Sequence, residues 1–80
     1  MNTSVISATE ALAYEVQFEK EKMHVYLLDG RVITLPLEWF PKLRRASAQQ
    51  KNNWRLIGKG VGIHWKGLDE DISVSALLRS

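Results

Sequence analysis

The most informative absence from this chain of 80 residues is cysteine, which does not occur at all. Without cysteine a chain has no disulfide bond, no thiolate nucleophile and no cysteine-based zinc site. Its hydrophobic core must hold the fold without cross-links, which fits the reducing cytosol. Apolar runs are also short, and none approaches the roughly 18 residues that indicate a membrane span. We therefore expect a cytoplasmic protein that makes no contact with a membrane.

Acidic residues are missing from the middle third of the chain. Residues 39–66 carry a net charge of +7, although the whole chain has a net charge of only +2. Residues 1–38 have a net charge of −3 and residues 67–80 a net charge of −2. The seven bases of the middle third are Lys42, Arg44, Arg45, Lys51, Arg55, Lys59 and Lys66. An anionic partner is therefore expected to dock on the middle of the chain.

The length and composition indicate a single globular domain. Hydrophobic residues make up 45% of the chain and charged residues 25%, which is ordinary for a folded protein. Residues 1–10 lack the positive charge and apolar stretch of a signal peptide, and we expect them to form a flexible polar leader. Residues 11–80 are predicted to form one α+β domain.

Alternating polarity predicts a meander of three strands at the start of the domain. Residues 12–19 alternate with a period of two, with Leu12, Tyr14, Val16 and Phe18 expected to face inward. A second strand is expected over residues 23–28 and a third over residues 31–35, joined by a hairpin at Asp29-Gly30. A three-residue loop with Gly30 in the left-handed conformation pairs Val25 with Ile33 and Met23 with Leu35. The residues this pairing gathers on one face are Met23, Val25, Leu27, Ile33 and Leu35.

Short helices are predicted after the meander. Pro41 suits a first helical turn, and Ser47 with Gln50 has the spacing of a capping box, which starts a second helix at about Ala48. We expect this helix to continue through residues 54–57, with Trp54 and Ile57 on one face. The glycines at positions 58, 60 and 62 are expected to turn the chain into a short strand over residues 63–65.

The last quarter of the chain is predicted to add one more helix. Ile72 extends the strand content, and Ser73 is placed to cap a helix that carries Val74, Leu77 and Leu78. The expected fold is α+β: a small antiparallel sheet, made of the N-terminal three-stranded meander plus a short later strand, packed against two or three short helices. The largest side chains are expected in its core, namely Trp39, Phe40, Trp54 and Trp65.

Several motifs of the chain resemble the bacterial domain of unknown function 2442. These motifs are Asp29-Gly30-Arg31, Pro36-Leu37-x-Trp39-Phe40-Pro41-x-Leu43, Trp54-x-Leu56-Ile57-Gly58-x-Gly60 and Gly62-Ile63-His64-Trp65-x-x-Leu68-Asp69-Glu70-Asp71-Ile72-Ser73-Val74-x-x-Leu77-Leu78. The resemblance spans about residues 12–80 and implies a small α+β domain. Such domains occur alone, joined to a helix-turn-helix, or encoded beside a second small protein, as in toxin–antitoxin pairs. The resemblance implies no established biochemical role.

The densest polar cluster combines His64 with Asp69, Glu70 and Asp71, followed by Ser73. A histidine and several carboxylates suit a divalent metal or an acid–base pair, which makes a metal-dependent enzyme one hypothesis. Adjacent acids in an extended segment point to alternate faces, however, so one site would recruit only one or two of them. The alternative is structural: the acids favour the start of the last helix, and one of them orients His64. We favour the structural interpretation.

The basic segment is the first candidate for partner binding. Its residues Lys42, Arg44, Arg45, Lys51 and Arg55 have no acid near them in sequence. They are compatible with a solvated face that pairs with the N-terminal acids, with a protein-binding surface, or with phosphate contacts to a nucleic acid. No recognition helix or base-stacking motif is recognisable.

The outward face of the predicted hairpin is the second candidate. It carries Tyr26, Leu28 and Val32 beside His24, and forms an apolar partner or dimer surface if no helix covers it. Neither histidine lies in a nucleophile motif, and we predict no catalytic residue, metal ligand or cofactor. The sequence favours a non-catalytic regulatory or antitoxin-like module that binds another small protein. A homodimer and a nucleic-acid-binding domain are the alternatives.

Overall fold

The computed structural model describes residues 11–79, so the expected leader at residues 1–10 lies outside the described residues, as does Ser80. The domain has the α+β fold expected from the sequence. Two antiparallel sheets, each of three strands, are accompanied by three short α-helices and intervening 3₁₀ turns. The strand order is β1-β2-β3 in the first sheet and β4-β5-β6 in the second.

The first sheet is the predicted meander. Its strands are β1 (Ala13–Glu19), β2 (Lys22–Leu27) and β3 (Val32–Pro36). Val25 pairs with Ile33 and Met23 with Leu35, which confirms the three-residue loop. Gly30 has a φ of +98°, and its N–H donates to the Leu27 carbonyl at 3.1 Å. The register is strongly determined because a slip of one residue would expose the buried face of both strands.

The start of β1 departs from the predicted alternation. Ala13 is buried and Tyr14 is 50% exposed, the reverse of the expectation for these two residues. The reason is a β-bulge: the register shifts between Ala13, which pairs with Leu27, and Glu15, which pairs with Tyr26. A bulge inserts one residue and so reverses the faces on one side of it. Beyond the bulge the prediction is correct, since Val16 is buried.

Two single-turn helices connect the sheets. A 3₁₀ turn over Leu37–Trp39 leads to α1 (Pro41–Arg44), with Pro41 in the first turn as predicted. Helix α2 (Ala48–Lys51) begins with the predicted capping box: Ser47 Oγ accepts from the Gln50 N–H at 3.1 Å, and Gln50 Oε1 accepts from the Ser47 N–H at 3.0 Å. This reciprocal pair satisfies two backbone donors that a helix start otherwise leaves unpaired.

The expected continuation of α2 through residues 54–57 is wrong. The helix ends at Lys51, and the chain forms β4 (Trp54–Ile57), which pairs with β5 (Gly62–Trp65). The third strand, β6 (Glu70–Ser73), pairs with the other edge of β5. The later part of the sheet content is therefore a second meander rather than one short strand. Trp54 and Leu56 share the inward face of β4, whereas Ile57 is 41% exposed.

The core lies between the two sheets and is closed by the helices. It consists of Ala13, Val16, Met23, Val25, Leu27, Leu35, Leu37, Leu43, Ile63, Trp65, Ile72, Val74 and Leu77. Phe18 from the first sheet meets Trp65 from the second edge to face, with ring centroids 6.4 Å apart. Trp65 is fully buried and its indole N–H donates to the Lys51 carbonyl at 2.9 Å. The expectation that Trp39 lies in the core is wrong, because this side chain is 55% exposed.

The ends of the second meander are held by close backbone contacts. Gly60, in the 3₁₀ turn Gly58–Gly60, has a φ of +111°, and a Cβ at this position would lie 2.9 Å from the Ala13 nitrogen and closer still to the Ala13 carbonyl oxygen. Helix α3 (Val74–Arg79) begins where the Val74 N–H donates to the Val61 carbonyl. Val74 and Leu77 are buried as predicted, but Leu78 is 41% exposed. Within residues 11–79 no helix combines the length and hydropathy that crossing a membrane requires.

Candidate functional site

The outward face of the first sheet carries an exposed apolar cluster, which we call the tyrosine patch. It consists of Tyr14, Tyr26, Leu28 and Val32. Tyr26 lies opposite Val32, and its ring centroid is 6.3 Å from that of Tyr14. Leu28 is 64% exposed and Val32 49% exposed, so no helix covers them. This face is therefore uncovered, as a partner or dimer surface requires. The β1 bulge adds Tyr14, which the alternation of polarity predicts to face inward.

Polar side chains continue the same face away from the tyrosine patch. His24 lies opposite Thr34, and its Nδ1 is 2.9 Å from Thr34 Oγ1. Its Nε2 is 3.0 Å from Glu19 Oε1. The Tyr26 hydroxyl donates to Gln17 Oε1 at 3.4 Å. Both ring nitrogens of His24 are thus engaged, which leaves this histidine as an ordered part of the surface rather than a free base.

An ion pair rigidifies the tip of the hairpin beside the tyrosine patch. Arg31 donates through Nε to Asp29 Oδ2 at 2.8 Å, and its backbone N–H donates to Asp29 Oδ1 at 3.0 Å. The side-chain hydrogen bond from Arg31 lowers the pKa of Asp29 below its ordinary value, and the same bond raises the pKa of Arg31. The tip that holds Leu28 is therefore stabilised by charge as well as by Gly30.

The polar cluster predicted around His64 separates into two groups. His64 on β5 lies directly opposite Asp71 on β6, and its Nδ1 pairs with Asp71 Oδ1. Glu70 points to the other face of β6, where its carboxylate lies 3.8 Å from Lys42 Nζ. Lys42 Nζ also donates to the Asp69 carbonyl at 3.2 Å. Adjacent acids thus take alternate faces, as expected for an extended segment.

The start of α3 is capped by a serine rather than by the acids. Ser73 Oγ accepts from the Ala76 N–H at 3.4 Å, as the capping prediction for Ser73 requires. The first turn of α3 contains no acidic residue. The suggestion that Asp69, Glu70 or Asp71, which precede the helix, favours its dipole stays a prediction. Among residues 11–79 no group of three or more histidine and acidic side chains is arranged to hold a metal ion.

The basic segment does not form one uniform surface. Lys42 is engaged by Asp69 and Glu70, and Lys51 Nζ lies 5.7 Å from the centroid of the Phe18 ring. The side chains of Arg44, Arg45 and Arg55 have no ion pair or hydrogen bond to any described residue. Arg55 projects from β4 opposite His64, instead of from the helix that the sequence predicts there.

A shallow hollow, which we call the cationic depression, lies beside the β4–β5 strand pair of the second sheet. It encloses about 320 Å³ and is lined by Asn53, Trp54, Arg55, His64 and Lys66. The sequence could not reveal this grouping, because its residues meet only when β4 pairs with β5. A separate and larger groove of about 550 Å³ includes the exposed aliphatic residues Ile57, Val61 and Leu78.

Comparison with other proteins supports the fold and identifies the family. A solved structure of a protein of unknown function from Rhodospirillum rubrum is similar to this chain, with a TM-score of 0.76 and 27% sequence identity. The similarity covers 89% of this chain and 88% of that one. No curated protein matches the chain. Residues 13–80 match the family model described as "Protein of unknown function (DUF2442)". The chain therefore belongs to the DUF2442 family.

Proposed function

We propose that the chain is a non-catalytic, cytoplasmic regulatory module of the antitoxin-like kind that binds another small protein through the tyrosine patch. The observation that carries this proposal is the exposure of Leu28, Val32 and Tyr14, each about half exposed or more, on a single sheet face. Side chains of this type cost free energy when they face water, and their burial against a partner recovers roughly 25 cal/mol for each Å² of apolar surface.

The composition of the patch supports a protein partner over a lipid or a small ligand. Tyrosine combines a large apolar ring with a hydroxyl that tolerates water, and it is enriched among the residues that dominate binding energy in protein interfaces. The patch lies on a sheet and its tip is held by the Asp29–Arg31 pair, so little conformational entropy is lost on binding.

Charge around the patch indicates the chemistry of the partner. Glu15 is part of the same face and lies directly opposite Tyr26. Acidic groups at the rim of an apolar patch favour a partner whose own apolar surface is bordered by lysine or arginine. Such rim charges act mainly on the rate of association and on its salt dependence.

The test compares two double variants that add the same charge at exposed aliphatic positions. Leu28→Lys with Val32→Lys changes the tyrosine patch. Ile57→Lys with Val61→Lys is the matched control, at the end of β4 and in the turn that follows it. The partner is captured from lysate of the native host, identified by mass spectrometry, purified, and titrated by calorimetry. We expect the wild-type chain and the control to bind equally, and the patch variant to bind at least about tenfold more weakly, because hot-spot residues contribute about 2 kcal/mol or more each.

Three results would contradict the proposal. The capture recovers no stoichiometric partner, or both double variants bind as the wild type does, or the control loses binding instead of the patch variant. Light scattering of the purified chain adds a further check. A dimer that dissociates only in the patch variant would assign the tyrosine patch to a second copy of the chain and refute a separate partner.

The second candidate function is nucleic-acid binding through the middle of the chain. It is favoured by Arg44, Arg45 and Arg55, whose side chains have no partner among residues 11–79. Binding through phosphates must weaken as salt rises, because each neutralised phosphate releases counterions. Affinity for duplex DNA that is unchanged between low and high salt, or after Arg44→Glu with Arg45→Glu, would exclude this function.

A further inference from the structure

We propose that the cationic depression on the second sheet binds the 5′-phosphate of a nucleotide. This inference is independent of the proposed protein-binding function, because the depression and the tyrosine patch lie on different sheets. It rests on the juxtaposition of Arg55, His64 and Lys66 around one hollow.

Strand pairing creates the site. Arg55 lies directly opposite His64 across β4 and β5. Asn53 and Lys66 follow at the same end of the strand pair, just beyond the paired residues Trp54 and Trp65. Side chains directly opposite each other in an antiparallel pair have Cβ atoms about 4.5–5.5 Å apart. A phosphate group placed over this pair is therefore within reach of the guanidinium, the imidazole and the neighbouring ammonium group.

The charge of the depression is positive and uncompensated. Arg55 and Lys66 line it, and their side chains form no ion pair or hydrogen bond with any residue of the described chain. No carboxylate lines it either, as far as residues 11–79 show. Two unpaired cations around one hollow repel each other, and an anion between them offsets that repulsion. Arginine in particular offers a planar fork of donors that matches two phosphate oxygens.

Asp71 orients the histidine toward the ligand. It pairs with His64 Nδ1 from the β6 side and does not itself line the depression. This contact leaves Nε2 without a partner among the described residues, and in the imidazolium form Nε2 donates to an oxyanion. Asn53 adds an amide donor at the rim.

The remaining wall favours a nucleotide over inorganic phosphate. Trp54 lines the same hollow from the edge strand β4 and is half-buried, because its side chain also packs against the core. Bases stack on accessible aromatic rings with little dependence on sequence. A volume of about 320 Å³ is also larger than a phosphate ion needs and lies at the lower end of the range for small-molecule sites.

The test is an NMR titration of the isotopically labelled chain with 5′-AMP, adenosine and inorganic phosphate. We expect 5′-AMP at millimolar concentration to shift the His64 ring signals and the Trp54 indole signal saturably. Inorganic phosphate should bind more weakly at the same residues, and adenosine should leave the His64 signals unchanged. Saturable shifts of equal size with adenosine, or no shift with 5′-AMP, would overturn the proposal.

Variants separate a specific site from general attraction. Arg55→Gln with Lys66→Gln should weaken 5′-AMP binding at least about tenfold, since two charge-assisted hydrogen bonds are lost. Lys20→Gln with Lys22→Gln removes the same charge at exposed positions of the first sheet and should leave binding unchanged. Equal losses in both double variants would refute a built site. If the first pair impairs folding, Lys66→Gln alone, in an exposed turn, serves as the replacement and should still weaken binding severalfold.

The source of the phosphate is resolved by a third arm. A trinucleotide with a 5′-phosphate is compared with the same trinucleotide lacking it. Tighter binding of the phosphorylated strand than of 5′-AMP assigns the site to a strand end, and weaker binding assigns it to a free nucleotide; both results support the site. Equal and measurable binding of the two trinucleotides would contradict it, because the 5′-phosphate would then contribute nothing.

Discussion

Replacement of Gly60 by alanine tests how the two sheets are joined. Gly60 lies in the turn between β4 and β5, yet its backbone meets Ala13 at the start of β1, on the other sheet. Two costs add at this position. A φ of +111° is outside the regions that an L-residue adopts readily, and the new Cβ would be 2.9 Å from the Ala13 nitrogen.

Two other glycines allow the two costs to be separated. Gly30 also has a positive φ, of +98°, but open space surrounds it, so Gly30→Ala should cost only the backbone strain, about 1–2 kcal/mol. Gly67 has open space and no positive φ, so Gly67→Ala should be neutral or stabilise by about 0.4–1 kcal/mol. Gly60→Ala adds about 1–3 kcal/mol of overpacking to the strain, which gives about 2–5 kcal/mol in all.

The three variants and the wild type are unfolded by urea and by heat, and circular dichroism monitors the unfolding. For a domain of this size each kcal/mol lowers Tm by about 4–8 °C, so Gly60→Ala should lower Tm by at least about 8 °C. The backbone of Ala13 cannot yield easily, because it is part of the bulged strand and the residue is 1% exposed. A Gly60→Ala variant that loses no more stability than Gly30→Ala would refute the argument that this contact is tight.

Three further predictions concern the hairpin tip, a helix cap and the core. Arg31→Gln should raise the pKa of Asp29 toward its ordinary value, which NMR titration of the carboxyl carbon measures. In the wild type this pair contributes to folding stability above the unfolded-state pKa of Asp29. That contribution is lost as pH falls through the lowered pKa of the folded state. Ser47→Ala should cost about 1 kcal/mol in urea unfolding, because the Gln50 N–H loses its acceptor. Leu43→Ala should cost about 2–5 kcal/mol because the side chain is completely buried, whereas Leu78→Ala, at a position 41% exposed, should cost much less; a similar loss in both would contradict the assigned burial.

The first sheet was predictable in detail because its signals are local and mutually consistent. The Asp29-Gly30 turn and the sorting of Met23, Val25 and Leu35 onto one face allow a single register, and the structure has that register. The error at Tyr14 has a specific cause. A β-bulge leaves no mark in the alternation of polarity, so the pattern was extended through it.

The second sheet was only partly predictable because its pairing is not local. The segment Trp54–Ile57 is short, and its sequence fits two structures. The spacing of three between Trp54 and Ile57 fits a helix, and the alternation of Trp54, Arg55 and Leu56 fits a strand equally well. Pairing with Gly62–Trp65 decides the outcome, and that interaction is tertiary. The same error hid the cationic depression, because Arg55 meets His64 only in this strand pair.

The three tryptophans lie in three different environments, so their fluorescence reports on different parts of the domain. Trp65 is sealed in the core, Trp54 borders the cationic depression, and Trp39 stands in solvent on a different element, while the tyrosine patch contains no indole. A quencher dissolved in water should therefore act on Trp39 first and reach Trp65 only on unfolding. A ligand in the cationic depression should change the fluorescence of Trp54 alone, whereas a protein bound to the first sheet should leave that fluorescence unchanged. Tryptophan fluorescence therefore distinguishes binding at the two sites.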